Sequence, residues 1–198
     1  MSGNINNSQH TFQLKSAIRS TMRTQRNKLS RIEQQRAANR LCLRLTRQPE
    51  FRSAQHIALY MPNDGEISPL QLMGLSRYKA KRFYLPRVKE GVLHFARYRI
   101  SDKLRKNRFG INEPLAGAPI IAATKLDLVC VPLVAFDPQG RRLGMGGGFY
   151  DRCFAFKKHA VSPRLVGVAH ALQKHDPLPS DLWDIPMDLI MSDRETIR

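Results

Sequence analysis

The sequence predicts an α/β layered fold, a single domain whose mainly parallel sheet is flanked by helices, and three observations carry that expectation. Short apolar runs alternate with turn signals and helical stretches through the middle and end of the chain, the order expected when strands are joined by crossovers. One run, residues 126–136 (LDLVCVPLVAF), is nearly continuously apolar, as a strand covered on both faces should be. With 198 residues, 42% of them hydrophobic, the chain suits one domain with a sizeable core.

In chain order, residues 1–10 are rich in Asn, Ser and Gly and read as a flexible extension, leaving residues 11–198 as a single domain. Residues 11–47 then hold ten Lys or Arg and one acid, Glu33. Apolar Leu14, Ala17, Ile18 and Met22 recur there at helical spacing. Ser30 and Glu33 form a capping-box signature, and Ala37, Ala38, Leu41 and Leu45 extend a second apolar stripe until Pro49. These are two basic amphipathic helices. Residues 56–61 read as a buried strand and 62–65 as a turn. Ser68 and Pro69 supply an N-cap and N1 proline for a helix through about Lys79, and residues 81–86 form the next strand. Residues 88–100 read as a hairpin turning at Glu90 and Gly91, and residues 126–136, 165–169 and 187–191 as further strands. No internal repeat or linker divides the chain.

The formal net charge is +17, with 33 Lys and Arg against 16 Asp and Glu, which implies attraction for polyanions. Charge alone leaves open nucleic acid, an anionic small molecule or a well-solvated surface. No apolar run approaches the roughly 20 residues of a membrane span, and the first ten residues lack the apolar stretch of a signal peptide. A soluble, cytoplasmic protein without membrane partners is expected. Cys42, Cys130 and Cys153 lie far apart with no CxxC pair, which argues against a disulfide framework or a cysteine zinc site and fits a reducing compartment.

The most informative stretch is Arg142, Leu143, Gly144, Met145, Gly146, Gly147, Gly148, Phe149, Tyr150, Asp151, Arg152. Glycines permit close approach of backbone amides to an anion, and a following helix N-terminus would favour negative charge. Generic fingerprints fit badly: Phe149 and Tyr150 stand where a P-loop needs Lys and then Ser or Thr, and Phe149 stands where a GxGxxG reading needs glycine. A flexible hairpin is the bland alternative, but a bare turn needs only one or two glycines.

This stretch closely resembles the RLGxGxGYYDR signature of the 5-formyltetrahydrofolate cyclo-ligase (methenyltetrahydrofolate synthetase) family. Ordered matches extend the resemblance: Lys15 and Arg19 to its KxxxR, Glu66 after the first strand and turn, Pro86 and Arg87 to LPR, Glu113 and Pro114 to EP, and Asp184 and Asp188 to the closing aspartates. The loop is specific, the other pieces weak singly; Phe149 stands where the family has its first Tyr. The resemblance implies ATP-dependent closure of 5-formyltetrahydrofolate to 5,10-methenyltetrahydrofolate, releasing ADP and phosphate through a phosphorylated formyl group attacked by N10. Such chemistry needs positioning and charge neutralisation rather than a protein nucleophile, and no GxSxG elbow is present.

On that resemblance, ATP is bound by Lys15, Arg19, Arg142, Gly144, Met145, Gly146, Gly147, Gly148, Phe149 and Tyr150. Lys15 and Arg19 are four apart and share a helix face, where both can grip phosphate oxygens. The folate is met by Met61, Glu66, Met145, Gly146, Gly147, Gly148 and Phe149, with the Glu66 carboxylate accepting pterin N–H groups. Asp151 is the expected Mg²⁺ ligand and Asp188 the second. The positive field then meets triphosphate and the folate's carboxylates, including a polyglutamate tail. Two rivals remain: a nucleic-acid-binding module, although no motif or aromatic platform accompanies the basic helices, and a phosphotransferase that shares the cradle but not the Glu66 role. A monomer or weak homo-oligomer is expected.

Overall fold

The computed structural model describes residues 3–75, 78, 80–181 and 183–198. In chain order its helices and strands are α1 (Gly3–Asn27), α2 (Arg31–Leu45), α3 (Pro49–Ser53), β1 (His56–Ala58), β2 (Arg82–Lys89), β3 (Val92–Arg97), β4 (Leu104–Lys106), β5 (Asn112–Pro114), β6 (Ile120–Ile121), β7 (Leu128–Pro132), β8 (Ala135–Phe136), β9 (Arg142–Leu143), α4 (Phe149–Cys153), β10 (Arg164–Ala169), β11 (Leu189–Ser192) and β12 (Thr196–Ile197). Strands β11, β10, β7, β1 and β2 lie side by side and parallel at the centre of an eight-stranded sheet. The antiparallel β12 closes one edge and β3 and β6 the other.

The side-chain alternation of β7 shows why its run is apolar throughout. Leu128 and Cys130 pack with Ala38, Leu41 and Leu45 of α2 on one face, while Val129 and Val131 pack with Phe154 and Ile185 on the other. Each such side chain, fully buried, contributes about 1.5–3 kcal/mol. The helix α2 starts where the capping box predicts: Glu33 N–H donates to Ser30 Oγ at 3.3 Å, and Ser30 N–H to Glu33 Oε2 at 2.8 Å. The apolar stripe of α1 packs elsewhere, Ile18 and Met22 lying against Val134, Ala135, Leu143 and Leu178. Because Val134 and Ala135 follow β7, α1 crosses the C-terminal end of the parallel strands, where open α/β sheets collect their binding loops.

Several elements differ from expectation. The helix α1 runs back to Gly3, through the segment expected to be a flexible extension; no glycine or proline after Gly3 interrupts it, and adding turns to a formed helix is inexpensive. In place of a helix from Ser68 to about Lys79 there is a 3₁₀ turn, Leu70–Gly74, that drives Leu72 into the core. Ser68 Oγ accepts the Leu70 N–H at 3.3 Å, but Pro69 rather than Ser68 stands at the N-cap and Gly74 ends the turn; residues 76, 77 and 79 of the expected helix lie outside the described residues. The run at 126–136 is two strands, β7 and β8, separated after Pro132, whose missing N–H cannot continue a ladder.

Candidate functional site

The glycine loop is carried by the short hairpin of β8 and β9. Val134 N–H donates to Leu143 O at 2.7 Å, and the buried Asp137 carboxylate ties the turn together by accepting the N–H groups of Gln139 (3.0 Å) and Arg141 (2.9 Å). The chain therefore leaves β9 in a fixed direction and exposes Met145, Gly146 and Gly147. Gly146 (φ +97) and Gly148 (φ +62) are left-handed, a conformation that requires glycine here. The helix that follows, α4, is only five residues long, so its dipole is small and the cradle rests on loop amides and neighbouring cations.

Those cations come from α1 and β9. Arg19 Nε donates to Gly144 O at 2.8 Å, and its guanidinium lies against Gly146, where an added Cβ would stand 3.4 Å from Cζ. Lys15, one turn earlier, reaches Asp181 at 2.6 Å and Asp184 at 3.3 Å. Arg142 is held by Asp151, whose Oδ1 also accepts the Ile185 N–H at 3.2 Å. Lys15 and Arg142 side chains are only 9% and 6% exposed, so without a ligand these carboxylates supply the negative charge that they face.

Glu66 stands beyond the turn after β1 with its side chain 12% exposed. Its Oε2 accepts the Asn63 N–H at 3.1 Å, and Arg26 NH2 lies 4.0 Å from Oε1. Burial pushes its carboxyl up from 4.5 to about 7; Arg26 and the Asn63 N–H pull the other way. Tyr150 joins this group to the loop: its hydroxyl is pushed up by burial and then by the Glu66 charge, while its ring stacks on Phe154 at 6.3 Å. Phe149 points differently, edge-on to Phe109 at 5.8 Å. Met61 is partly buried against the α2 side of the sheet.

The expected site residues do not all converge. Asp188 precedes β11, where its Oδ2 accepts the Leu165 N–H at 2.7 Å and its carboxylate pairs with Arg164 (3.0 Å) and Lys157 (3.2 Å). Leu165 is at the opposite end of β10 from Ala169, roughly 13 Å away at ~3.3 Å per residue. The acid brought beside Asp151 is Asp184, adjacent to Ile185 and bonded to Lys15. Among the described residues no three His, Cys, Asp or Glu side chains gather as a metal cage. Asp151 is held by Arg142 and the Ile185 N–H, and Asp184 by Lys15 and the Asp181 N–H.

Pro86, Arg87, Glu113 and Pro114 prove to be one structural clamp. Glu113, 1% exposed, accepts the Val88 N–H at 3.2 Å and pairs with Arg105 at 3.1 Å, while Arg87 donates to Ala116 O at 2.8 Å. That clamp holds the hairpin of β4 and β5 against β2, with Phe109 at its tip facing Phe149. Spacing gave no sign of Arg26, a fully buried arginine bound to the turn that carries Glu66.

The profile of the 5-formyltetrahydrofolate cyclo-ligase family matches residues 11–193. The chain is 36% identical over 180 residues to the 5-formyltetrahydrofolate cyclo-ligase of Haemophilus influenzae, covering 88% of this chain and 95% of that one. It is 35% identical over 175 residues to that of Escherichia coli K12, covering 86% and 96%. Its structure is similar to that of Aquifex aeolicus 5,10-methenyltetrahydrofolate synthetase, with a TM-score of 0.80, 34% identity and coverage of 93% and 92%. The 5,10-methenyltetrahydrofolate synthetase of Mycoplasma pneumoniae shares the fold, with a TM-score of 0.73 at 23% identity over 91% of this chain and 99% of that one.

Proposed function

Since the chain belongs to the 5-formyltetrahydrofolate cyclo-ligase family, we propose that it closes 5-formyltetrahydrofolate to 5,10-methenyltetrahydrofolate with ATP as phosphoryl donor. The formyl oxygen attacks the terminal phosphorus and ADP leaves. N10 then attacks the activated formyl carbon, loses its proton, and phosphate departs with the former formyl oxygen. The observation that carries this reading is the left-handed loop at Gly146 and Gly148 with the Arg19 guanidinium beside it, together with the buried Glu66 carboxylate on the turn after β1. An anion cradle and a carboxylate suited to pterin N–H groups thus share one end of the sheet.

The chain's own groups would act by charge and position. Lys15, Arg19 and Arg142 neutralise phosphate charge, with Asp181 and Asp184 leaving Lys15 as the nucleotide arrives. The amides of residues 144–148 line the phosphates. Glu66 accepts the pterin's amino and ring N–H groups, with Met61 and Phe149 beside the folate. Magnesium, when bound to Asp151 and Asp184, would offset charge developing on the phosphates. The exposed Lys106 and Arg108 on the β4–β5 hairpin suit the carboxylates of a polyglutamate tail. Among the described residues no helix is long and apolar enough to cross a membrane.

The test mixes purified protein, Mg-ATP and 5-formyltetrahydrofolate carrying ¹⁸O in the formyl group, and follows methenyltetrahydrofolate by absorbance and the label by mass spectrometry. ATP-dependent turnover with ¹⁸O in the released phosphate is expected. Turnover without ATP, or label lost to water, would overturn the phosphorylated intermediate.

A further inference from the structure

Resting on the reading of Glu66 as the pterin acceptor, we propose that Arg26 is its positioning residue: the buried guanidinium clamps the turn that carries Glu66 and faces that carboxylate with a fixed positive charge. Arg26 is 0% exposed. Its Nε donates to Asp64 O at 2.6 Å and its NH2 to Asp64 Oδ2 at 2.9 Å, while NH2 also stands 4.0 Å from Glu66 Oε1. NH1 is buried and has no hydrogen-bond partner. Taking an arginine out of water is costly, and the bonds that offset the cost here go to the turn that carries Glu66.

The turn itself needs holding. Asp64 (φ +51) and Gly65 (φ +74) are both left-handed, a conformation that carries strain for the aspartate. Besides Arg26, the end of α1 supplies Asn27, whose Nδ2 donates to Asp64 Oδ1 at 2.8 Å, and Arg23, whose Nε donates to Asp64 Oδ2 at 2.6 Å. Gln34 donates to Gly65 O at 3.1 Å, and His170 Nε2 lies 3.2 Å from the same oxygen. Lys15 and Arg19 sit on the same helix, about 11 and about 7 residues from Arg26, or ~16 Å and ~10 Å at 1.5 Å per residue. One rigid helix therefore sets the spacing between the phosphate cations and the turn that carries Glu66.

The charge has a second effect. The groups that face Glu66 are Arg26 from α1, Asp64 and the Asn63 N–H from its own turn, Tyr60 from the segment after β1 and Tyr150 from α4. His170 stands behind Gly65. Arg26 is the one cation in that set, and it opposes the burial that favours a protonated Glu66. Without it Glu66 holds its proton to higher pH, and a neutral carboxyl no longer accepts two pterin N–H groups.

Arg26→Met and Arg26→Lys are compared with wild type and Glu66→Gln, measuring kcat and KM for 5-formyltetrahydrofolate and for ATP across neutral to alkaline pH. In Arg26→Met the folate KM should rise about fivefold at neutral pH and fall back as pH rises, the effect of a one-unit displacement of a Glu66 titration centred at about 7. The ATP KM should stay near wild type. Arg26→Lys, which keeps the charge but not the fork, should raise the folate KM with no displacement of the pH profile. If Arg26→Met does not fold, a displaced profile in Arg26→Lys overturns the assignment of charge to this residue. A folded Arg26→Met with an unchanged folate KM, or with a raised KM and the wild-type pH profile, overturns the proposal. An unchanged folate KM in Glu66→Gln would instead remove the pterin reading on which it rests.

Discussion

Glu66→Gln should stabilise the protein at alkaline pH while removing folate use, and the size of the gain follows from the burial of the carboxyl. Burial raises its pKa from 4.5 to about 7 against the pull of Arg26 and the Asn63 N–H. At 1.36 kcal/mol per tenfold in acid strength, the ionised form is about 3 kcal/mol costlier in the folded protein than in the unfolded chain. The unfolded chain gives up this proton near 4.5 and the folded protein only near 7, so between those values the folded state binds more protons. Stability therefore falls as pH rises through that window, and the destabilisation is complete above it. Glutamine keeps the shape and can still accept the Asn63 N–H, but carries no charge. Urea unfolding of both proteins should show the variant ahead by up to ~3 kcal/mol at about pH 8, and by almost nothing at about pH 3, where wild-type Glu66 is largely protonated in either state. Against a total stability of about 5–15 kcal/mol this is a large margin. An equal gain at both pH values, or none at alkaline pH, would refute the assignment of the cost to a buried ionised carboxylate.

Two glycines separate loop function from packing. In Gly146→Ala, the left-handed φ of +97 should strain the loop by about 1–3 kcal/mol and shift its amides, with the new Cβ in contact with the Arg19 guanidinium at 3.4 Å from Cζ. The ATP KM should rise along with a fall in the urea midpoint that reflects this strain; an unchanged ATP KM would remove Gly146 from the cradle. In Gly167→Ala, the new Cβ would meet Leu133 Cδ2 at 2.9 Å and Ile190 Cγ1 and Met187 Cγ at 3.1 Å inside the sheet's cover. Overpacking of that kind should lower stability by about 1–3 kcal/mol with the ATP KM unchanged, and a neutral midpoint would show that the face can yield.

What the sequence made legible was the part of the fold whose signal is local. The capping box lies within four residues, the stripe of α2 repeats every turn, and β7 needs only apolar residues because both of its faces are covered. The glycine loop was legible for the same reason, its chemistry being contiguous. The hairpin that aims it was not, since β8 and β9 are two residues each and are held by Asp137, a turn residue in sequence but fully buried in the fold. The acids that answer Lys15 lie 166 and 169 residues away, beyond any spacing rule, and Asp184 rather than Asp188 adjoins Asp151 because the Ile185 N–H bonds Asp151 while Asp188 is held by the Leu165 N–H. Arg26 marks the sharpest limit. Along α1 it follows Arg19 and Arg23 at ordinary helical spacing, and all three read as one basic face; yet Arg23 has a side chain 45% exposed and Arg26 none. The difference comes from a turn 38 residues later whose Asp64 takes both. Hydrogen bonds from Arg23, Asn27 and Arg26 outweigh burial and bring the Asp64 carboxyl down to about 2, so the ion pairs persist across the pH range in which Glu66 titrates. A net charge of +17 thus combines two populations, arginines that project a field into solvent and arginines fixed inside against particular acids, and only the second kind tunes the site.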